Sequence, residues 1–206
     1  MSAMILRRYT NLAATLHILR TRTVTLLDPD KWDDRNDSYF MSVYKKRKGV
    51  NCVLALCFAQ VEETYHHWRV FSHGADGVRI EFHKERLLAH FAGDPRVRSG
   101  PVNYARIDDV ERDPPAIDDL PFLKRLPYQD EAEFRIVFTG DEPPAPYPIS
   151  VESIQRISLS PWLPYPLLQS VKETIRAIDG CARIPVIRST LIDNERWQQA
   201  TLGSEE

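Results

Sequence analysis

The chain is short of what several function classes require. It holds only three cysteines, Cys52, Cys57 and Cys181. The number is odd and no Cys-x-x-Cys pair occurs, so neither a disulfide framework nor a structural zinc site is expected. Cys57 lies in the apolar run Val53–Phe58 and reads as a buried thiol. No apolar run is long enough to span a bilayer, and no signal-peptide apolar region opens the chain. The expectation is a reduced, cytoplasmic protein with no membrane partner. An excess of one charge is missing too. The formal net charge is -2, so the whole chain carries no nucleic-acid footprint. The local run Lys45-Lys46-Arg47-Lys48, followed by Gly49, reads as a solvated turn. Internal repeats and low-complexity tracts are also absent.

What is present is ordinary globular material: 43% hydrophobic and 27% charged residues, enough to fill one domain over residues 1–206. Residues 200–206 read as a fraying tail. Met4–Tyr9 reads as a first strand, with Thr10 as the N-cap of a helix through Leu12, Leu16 and Leu19. Thr23–Leu27 is a short strand broken by Asp28-Pro29-Asp30. Val53–Phe58 is a buried central strand, and Val78–Phe82 alternates as a half-buried one. Between them Glu62–Phe71 reads as helical. His66 and His67, with His73 nearby, show no recognised ligand spacing, so no metal is expected.

Further on, Val97–Ile107 reads as a strand-pair segment and Asp108–Pro121 as a proline-rich surface loop. Phe122–Arg125 reads as a helix end. Ile154–Leu159 and Pro185–Ser189 read as late strands. Leu168, Val171, Ile175 and Ile178 mark an amphipathic helix over Leu167–Ile178. One mixed α+β domain with a largely antiparallel or split sheet is the economical architecture.

The chemistry concentrates at Tyr128–Phe138. Phe134, Ile136 and Phe138 alternate as a strand, and Glu131 and Glu133 stand two residues apart before the apolar run. A strand reaching back that far puts both acids on one face, with Arg135 continuing it. Paired carboxylates at a strand mouth suit proton removal or stabilisation of a developing cation. The plainer reading is a solvated strand entrance. Lys31–Tyr39 carries Asp33, Asp34 and Asp37 between large aromatics. It reads either as a loop whose acids cap a helix or as a loop folded over a site.

In order and spacing, these segments resemble the uncharacterised prokaryotic domain family numbered 2971. The carriers are Arg8-Tyr9-Thr10 in the first strand and Asp33-Asp34-Arg35-Asn36-Asp37 at a family Asn-Asp-x-x-Glu loop. Cys57-Phe58-Ala59 matches a Cys-Phe-Ser strand. Trp68, Phe71, Gly77, Ile80 and Phe82 follow, and Glu131, Glu133 and Arg135 match Glu-x-Glu-x-Arg. The resemblance runs from Arg8 to about Ser189. The layout also resembles ADP-ribosyltransferases, especially the DNA-modifying toxin type.

That resemblance implies an α+β, ADP-ribosyltransferase-like domain with a split, mostly antiparallel sheet, flanking helices and NAD as substrate. It implies Glu133 as the catalytic acid, with Glu131 orienting or deprotonating an acceptor. Arg8 would bind the diphosphate or adenosine ribose, and Tyr9 or Trp68 would stack on nicotinamide. Thr10, Asp34, Asp37 and Arg135 would complete the pocket, with no metal. The implied partners are a nucleic-acid or protein acceptor and a defence-system or antitoxin protein. Two alternatives stay open. One is a non-catalytic nucleotide- or nucleic-acid-sensing module. The other, placed last, is a metal-dependent nuclease using Asp34, Asp37, Glu131, Glu133 and Lys124, although no Asp-xn-Glu-x-Lys pattern sits on paired strands.

Overall fold

Alternation in the sequence becomes strand, and the chain enters on β1 (Ile5–Asn11) and helix α1 (Leu12–Thr21). The structure, a computed structural model, describes residues 4–72 and 74–202. Asn11, rather than Thr10, caps α1: its side chain accepts from the Ala14 N–H at 2.8 Å, satisfying one orphan donor of the first turn. Strand β2 is only Thr23–Val24, and Leu27 keeps one isolated bridge to Ala55. Helix α2 (Arg35–Lys48) then takes in the basic run read as a turn. Lys45–Lys48 form its last turn, where cations offset the negative end of the helix dipole, and Gly49 closes it at φ 65°.

Next come β3 (Cys52–Ala59), α3 (Tyr65–Phe71), β4 (Gly77–His83), α4 (Lys84–Ala89), β5 (Val97–Pro101) and β6 (Asn103–Ala105). The expected strand-pair segment thus divides between two sheets. The proline-rich stretch is more structured than a plain loop. It holds α5 (Ile107–Arg112) and a 3-10 turn at Ile117–Phe122 that buries Leu120 and Phe122. The residues read as a helix end form β7 (Leu123–Arg125), parallel to β6, because Leu123 already has extended backbone. The chain closes with β8 (Glu133–Gly140), β9 (Tyr147–Pro148), β10 (Ile154–Leu159), α6 (Tyr165–Arg176), β11 (Val186–Arg188) and α7 (Glu195–Leu202). His73 and the tail at 203–206 lie outside the described residues.

Seven strands build the main sheet in the order β11-β10-β4-β1-β3-β8-β5. Among the described residues of this sheet only β10–β11 is parallel, so the domain is α+β with a mixed, mostly antiparallel sheet. β1 pairs β4 from Ile5↔His83 to Asn11↔Gly77, and β3 pairs β8 from Cys52↔Gly140 to Ala59↔Glu133. Between these ladders β1 meets β3 in a single pair, Arg7↔Ala59. The sheet is therefore split into two well-paired halves.

Each face has its own cover. Leu6, Ile80, Phe82, Leu56, Phe58, Phe134, Ile136 and Phe138 form the larger core with Ile18 and Leu19 of α1, Leu87 of α4 and Ile175 of α6. On the opposite face Val53, Ala55 and Val137 pack against Met41 and Tyr44 of α2 and against Leu120 and Phe122. Each such side chain contributes about 1.5–3 kcal/mol by leaving water. The registers Cys57↔Arg135 and Ala59↔Glu133 put those residues on this second face.

Strand β8 begins at Glu133, not at Glu131. Leu126–Glu131 is a 3-10 turn, and Ala132 between the two acids is left-handed at φ 42°, ψ 53°. A Cβ disfavours that conformation, and a β-branched side chain disfavours it more. Ala132→Gly is expected to hold or raise stability in urea unfolding, and Ala132→Val to lower it by about 1–2 kcal/mol. Equal stability of the Val and Gly variants would contradict the left-handed assignment.

Candidate functional site

The first turn of α2, β7, the 3-10 turn before β8 and the mouth of β8 deliver five charged side chains to one place. They are Asp37, Lys124, Glu131, Glu133 and Arg135, all buried. Arg135 is 0% exposed, so each of its donors needs an acceptor. Nε and Nη2 donate to the two Glu133 oxygens at 2.9 and 2.8 Å. Nη1 and Nη2 donate to the two Asp37 oxygens at 2.9 and 2.5 Å. Nη1 also donates to the Pro121 carbonyl at 3.0 Å, and the Trp32 ring lies over the guanidinium at 4.7 Å. Lys124 Nζ donates to Glu131 Oε2 at 2.5 Å and stands 3.6 Å from Glu133 and 3.7 Å from Asp37.

Three carboxylates thus face two cations, and burial sorts their protonation. For Glu133, burial pushes the pKa up, but the Arg135 guanidinium and then Lys124 hold it below the usual carboxylate value. For Asp37 burial outweighs Arg135 and Lys124, for Glu131 it outweighs Lys124, and both pKa values are raised. Burial would lower Lys124, but Glu133 and Glu131 push it above its ordinary value. The cluster therefore contains one carboxylate held ionised and two closer to taking a proton. Burial, then Glu133, drives the Cys57 thiol well up, so it is no nucleophile.

The backbone around Glu133 is fixed as firmly as its side chain. Its N–H donates to the Tyr104 hydroxyl at 2.8 Å, and its carbonyl accepts from the Val102 N–H at 2.9 Å. Burial pushes Tyr104 up to about 12, so the phenol stays neutral. Gln60 Nε2 also reaches that carbonyl, at 3.5 Å, and the Gln60 carbonyl accepts from Arg7 Nη1 at 3.3 Å. Gln60 thereby links the acid cluster to β1.

The sequence-named residues divide. Glu131, Glu133, Asp37 and Arg135 come together. The two acids converge through the turn at Ala132 rather than through strand alternation. Arg8 does not join them. Register aligns Arg7, Ala59 and Glu133 in one row, so Arg8, one residue on, points to the opposite face with Ile80. Its Nη1 reaches the Cys57 carbonyl at 3.4 Å, and burial lowers its pKa. Thr10, two residues further, shares that opposite face.

Asp34 caps α2, its Oδ1 accepting from the Asn36 N–H at 3.0 Å, and takes no part in the cluster. Trp68 is 0% exposed and donates to Glu63 at 2.7 Å; a ring so enclosed offers no face for stacking on a ligand. Tyr9 packs parallel to His67 at 5.3 Å and edge-on to Trp68. Burial pushes the Tyr9 phenol up to about 12. His67 sits in a closed hydrogen-bond pair, with Thr64 Oγ1 2.7 Å from Nδ1 and the Glu131 carbonyl 3.3 Å from Nε2. A neutral ring protonated at Nε2 satisfies both. Among the described residues no group of three or more His, Cys, Asp or Glu is placed to hold a metal ion.

Arg7, Gln60 and Tyr104 are not among the site residues named from sequence, and Lys124 is named for the site only in the nuclease alternative. The burial of Leu6 is the signal that separates Arg7 from Arg8, since strand alternation then turns Arg7 away from the larger core. No helix among the described residues is long and apolar enough to cross a membrane.

No family model matches the chain and no curated protein matches it, so the resemblance to the family numbered 2971 rests on the order of its motifs alone. Solved structures of DarT from Thermus sp. 2.9 are similar at 11% identity. The complex with NAD+ has a TM-score of 0.46 and covers 92% of this chain and 96% of that one. The complex with carba-NAD+ scores 0.45, covering 93% and 97%. The complex with ADP-ribosylated ssDNA scores 0.47, covering 92% and 95%. At these identities and scores no residue role is transferred from them.

Two expectations separate ion pair from cap and buried histidine from exposed. Asp37→Ala leaves Arg135 with half its carboxylate partners and is expected to cost about 3–5 kcal/mol in urea unfolding; Asp34→Ala, losing a cap, about 1 kcal/mol. Equal losses would reduce Asp37 to a helix residue. For His67, burial lowers the pKa from 6.5, so the folded chain binds fewer protons than the unfolded chain as pH falls through that range. Stability is therefore expected to fall from about pH 7.5 to about pH 5.5, and His67→Gln to flatten that slope. A slope unchanged in the variant would remove His67 as its source.

Proposed function

We propose that the chain is an NAD-cleaving, ADP-ribosyl-transferring enzyme centred on Glu133. The observation that carries this reading is a buried carboxylate held ionised at a strand mouth, beside the split between the two half-sheets. Each Glu133 oxygen has two lone-pair directions, and Arg135 takes one from each. The Cys57 thiol takes a third, and the acceptor position that remains suits a ribose hydroxyl.

In the reaction, the bond from ribose to nicotinamide breaks and its electron pair leaves with the nicotinamide. Positive charge grows on the ribose, and a fixed anion lowers the barrier to it. An acceptor then bonds to the ribose and gives up a proton. In this reading Glu131 takes that proton, its pKa raised by burial and its position two residues from Glu133 supporting the role. Arg7, on the same face, replaces Arg8 as the first-strand guanidinium for the anionic part of NAD. A nucleic acid or a protein is the acceptor in this reading. The chain acts in the cytoplasm as a toxin or antiphage effector, checked by a neutralising partner.

One observation favours a second reading. Both Glu133 oxygens already engage Arg135, as befits a non-catalytic nucleotide- or nucleic-acid-sensing module. For the third reading, a metal-dependent nuclease, Asp37, Glu131 and Glu133 converge but are already paired with Arg135 and Lys124, while Asp34 caps α2.

Incubation with NAD, with and without DNA or RNA, followed by measurement of free nicotinamide, decides between the first two. Release is expected, and Glu133→Gln is expected to lower it at least about 100-fold while circular dichroism stays unchanged. Tight NAD binding by a stable protein without release would favour the sensing module and overturn the enzymatic reading.

A further inference from the structure

A second charged assembly lies on the same sheet face, on the other side of the split. Arg7, Glu81 and Arg156 stand in one row across β1, β4 and β10; Tyr9, Arg79 and Ser158 stand in the next. Glu81 is the shared acceptor: Arg79 Nη2 lies 2.7 Å from Oε1, Arg156 Nη2 2.8 Å and Arg7 Nε 3.9 Å. One carboxylate thus serves three guanidiniums. Glu63 is already committed to the Trp68 indole N–H and the Ser189 hydroxyl, each at 2.7 Å, and leaves Arg79 Nη1 at 3.7 Å.

The result is an excess of donors. Among the described residues Arg7 Nε, Arg79 Nε and Nη1, and Arg156 Nε lack a well-formed hydrogen bond, and the Tyr9 hydroxyl beside Arg79 is a loosely placed acceptor. Arg79 is 2% exposed and Arg7 6%, so bulk water does not routinely serve them. Besides the Gln60 carbonyl and the Ser158 hydroxyl, which take Arg7 Nη1 and Arg79 Nη2, the remaining acid is Glu62, which pairs with Arg7 Nη2. Its side chain is 75% exposed and sits just beyond the end of β3. An exposed ion pair of this kind is weak and easily exchanged.

We propose that Arg7, Arg79 and Arg156 form a binding site for a phosphate-type oxyanion, for which Glu62 is a displaceable stand-in. Guanidinium forks match phosphate oxygens in pairs, and three of them converge here from three adjacent strands. The two neighbouring acids do not bar an anion: the buried Glu81 is neutralised by Arg79 and Arg156, and the half-buried Glu63 is turned to Trp68 and Ser189. The ligand enters where Glu62 now stands, beside the partly exposed Arg156, and takes the unpaired N–H groups. The site shares Arg7 with the NAD reading and deepens it, yet it binds anion whether or not nicotinamide is released.

Calorimetric titration with inorganic pyrophosphate at low salt, with chloride matched, tests this. Binding is expected in the unaltered chain, tightened about two- to fivefold in Glu62→Gln as the competing carboxylate is removed. Arg156→Gln, at a partly exposed position, is expected to weaken it several-fold with thermal stability retained. NAD binding at least as tight as pyrophosphate would place a dinucleotide diphosphate in the site; pyrophosphate binding alone would place a free anion there. Absence of binding in both the unaltered chain and Glu62→Gln, or equal affinity in the two, would overturn the proposal. Because the readout is binding, failure here leaves nicotinamide release as a separate result.

Discussion

A guanidinium sealed from water dictates much of this molecule. Arg135 arrives on a strand flanked by Phe134 and Ile136, so the packing of those residues drives it inside. Once there it must be met, because an unpaired buried cation costs several kcal/mol. Asp37 from α2, the Pro121 carbonyl and Glu133 meet it, and Trp32 covers it. These partners come from segments nearly one hundred residues apart in sequence. The same guanidinium that fastens α2 to β8 through Asp37 also keeps Glu133 negative. Stability and the protonation of the candidate catalytic acid thus depend on one side chain.

Gln60 has a comparable economy. One of its groups touches the Glu133 carbonyl and another accepts from Arg7. It stands where β3 ends, at the level of the pair that joins the half-sheets. The acid-rich and arginine-rich assemblies therefore sit in a fixed relation, set by backbone as well as by side chains. A ligand with a cationic transition state at one end and an anionic group at the other would find complementary charge at both.

Much of the fold was legible because it rests on periodicity. Val78–Phe82 alternates and forms β4; Val53–Phe58 is apolar throughout and lies within β3, covered on both faces; Ile175 anchors α6 as its spacing implies. The site was legible only as far as neighbours in sequence. Glu131, Glu133 and Arg135 could be named together, but Lys124 joins them through β7, whose pairing with β6 no local pattern announces. Adjacent arginines at positions 7 and 8 are equivalent until register assigns them faces. The Glu131–Glu133 spacing pointed to the right meeting by the wrong route, since a left-handed Ala132 replaces strand alternation. Asp34 and Asp37 look alike in sequence, yet one serves a helix end and the other a buried cation.

The lone Arg7↔Ala59 pairing has a thermal consequence. With so little backbone bonding between β1 and β3, cohesion across that line rests on the Arg7 and Arg8 bonds to the Gln60 and Cys57 carbonyls and on apolar side chains, among them Phe58 and Phe82, whose rings meet edge to face at 6.0 Å. Apolar attraction weakens on cooling whereas ladder hydrogen bonds do not share that dependence. The junction between the half-sheets is therefore the part of the sheet that loosens first in the cold.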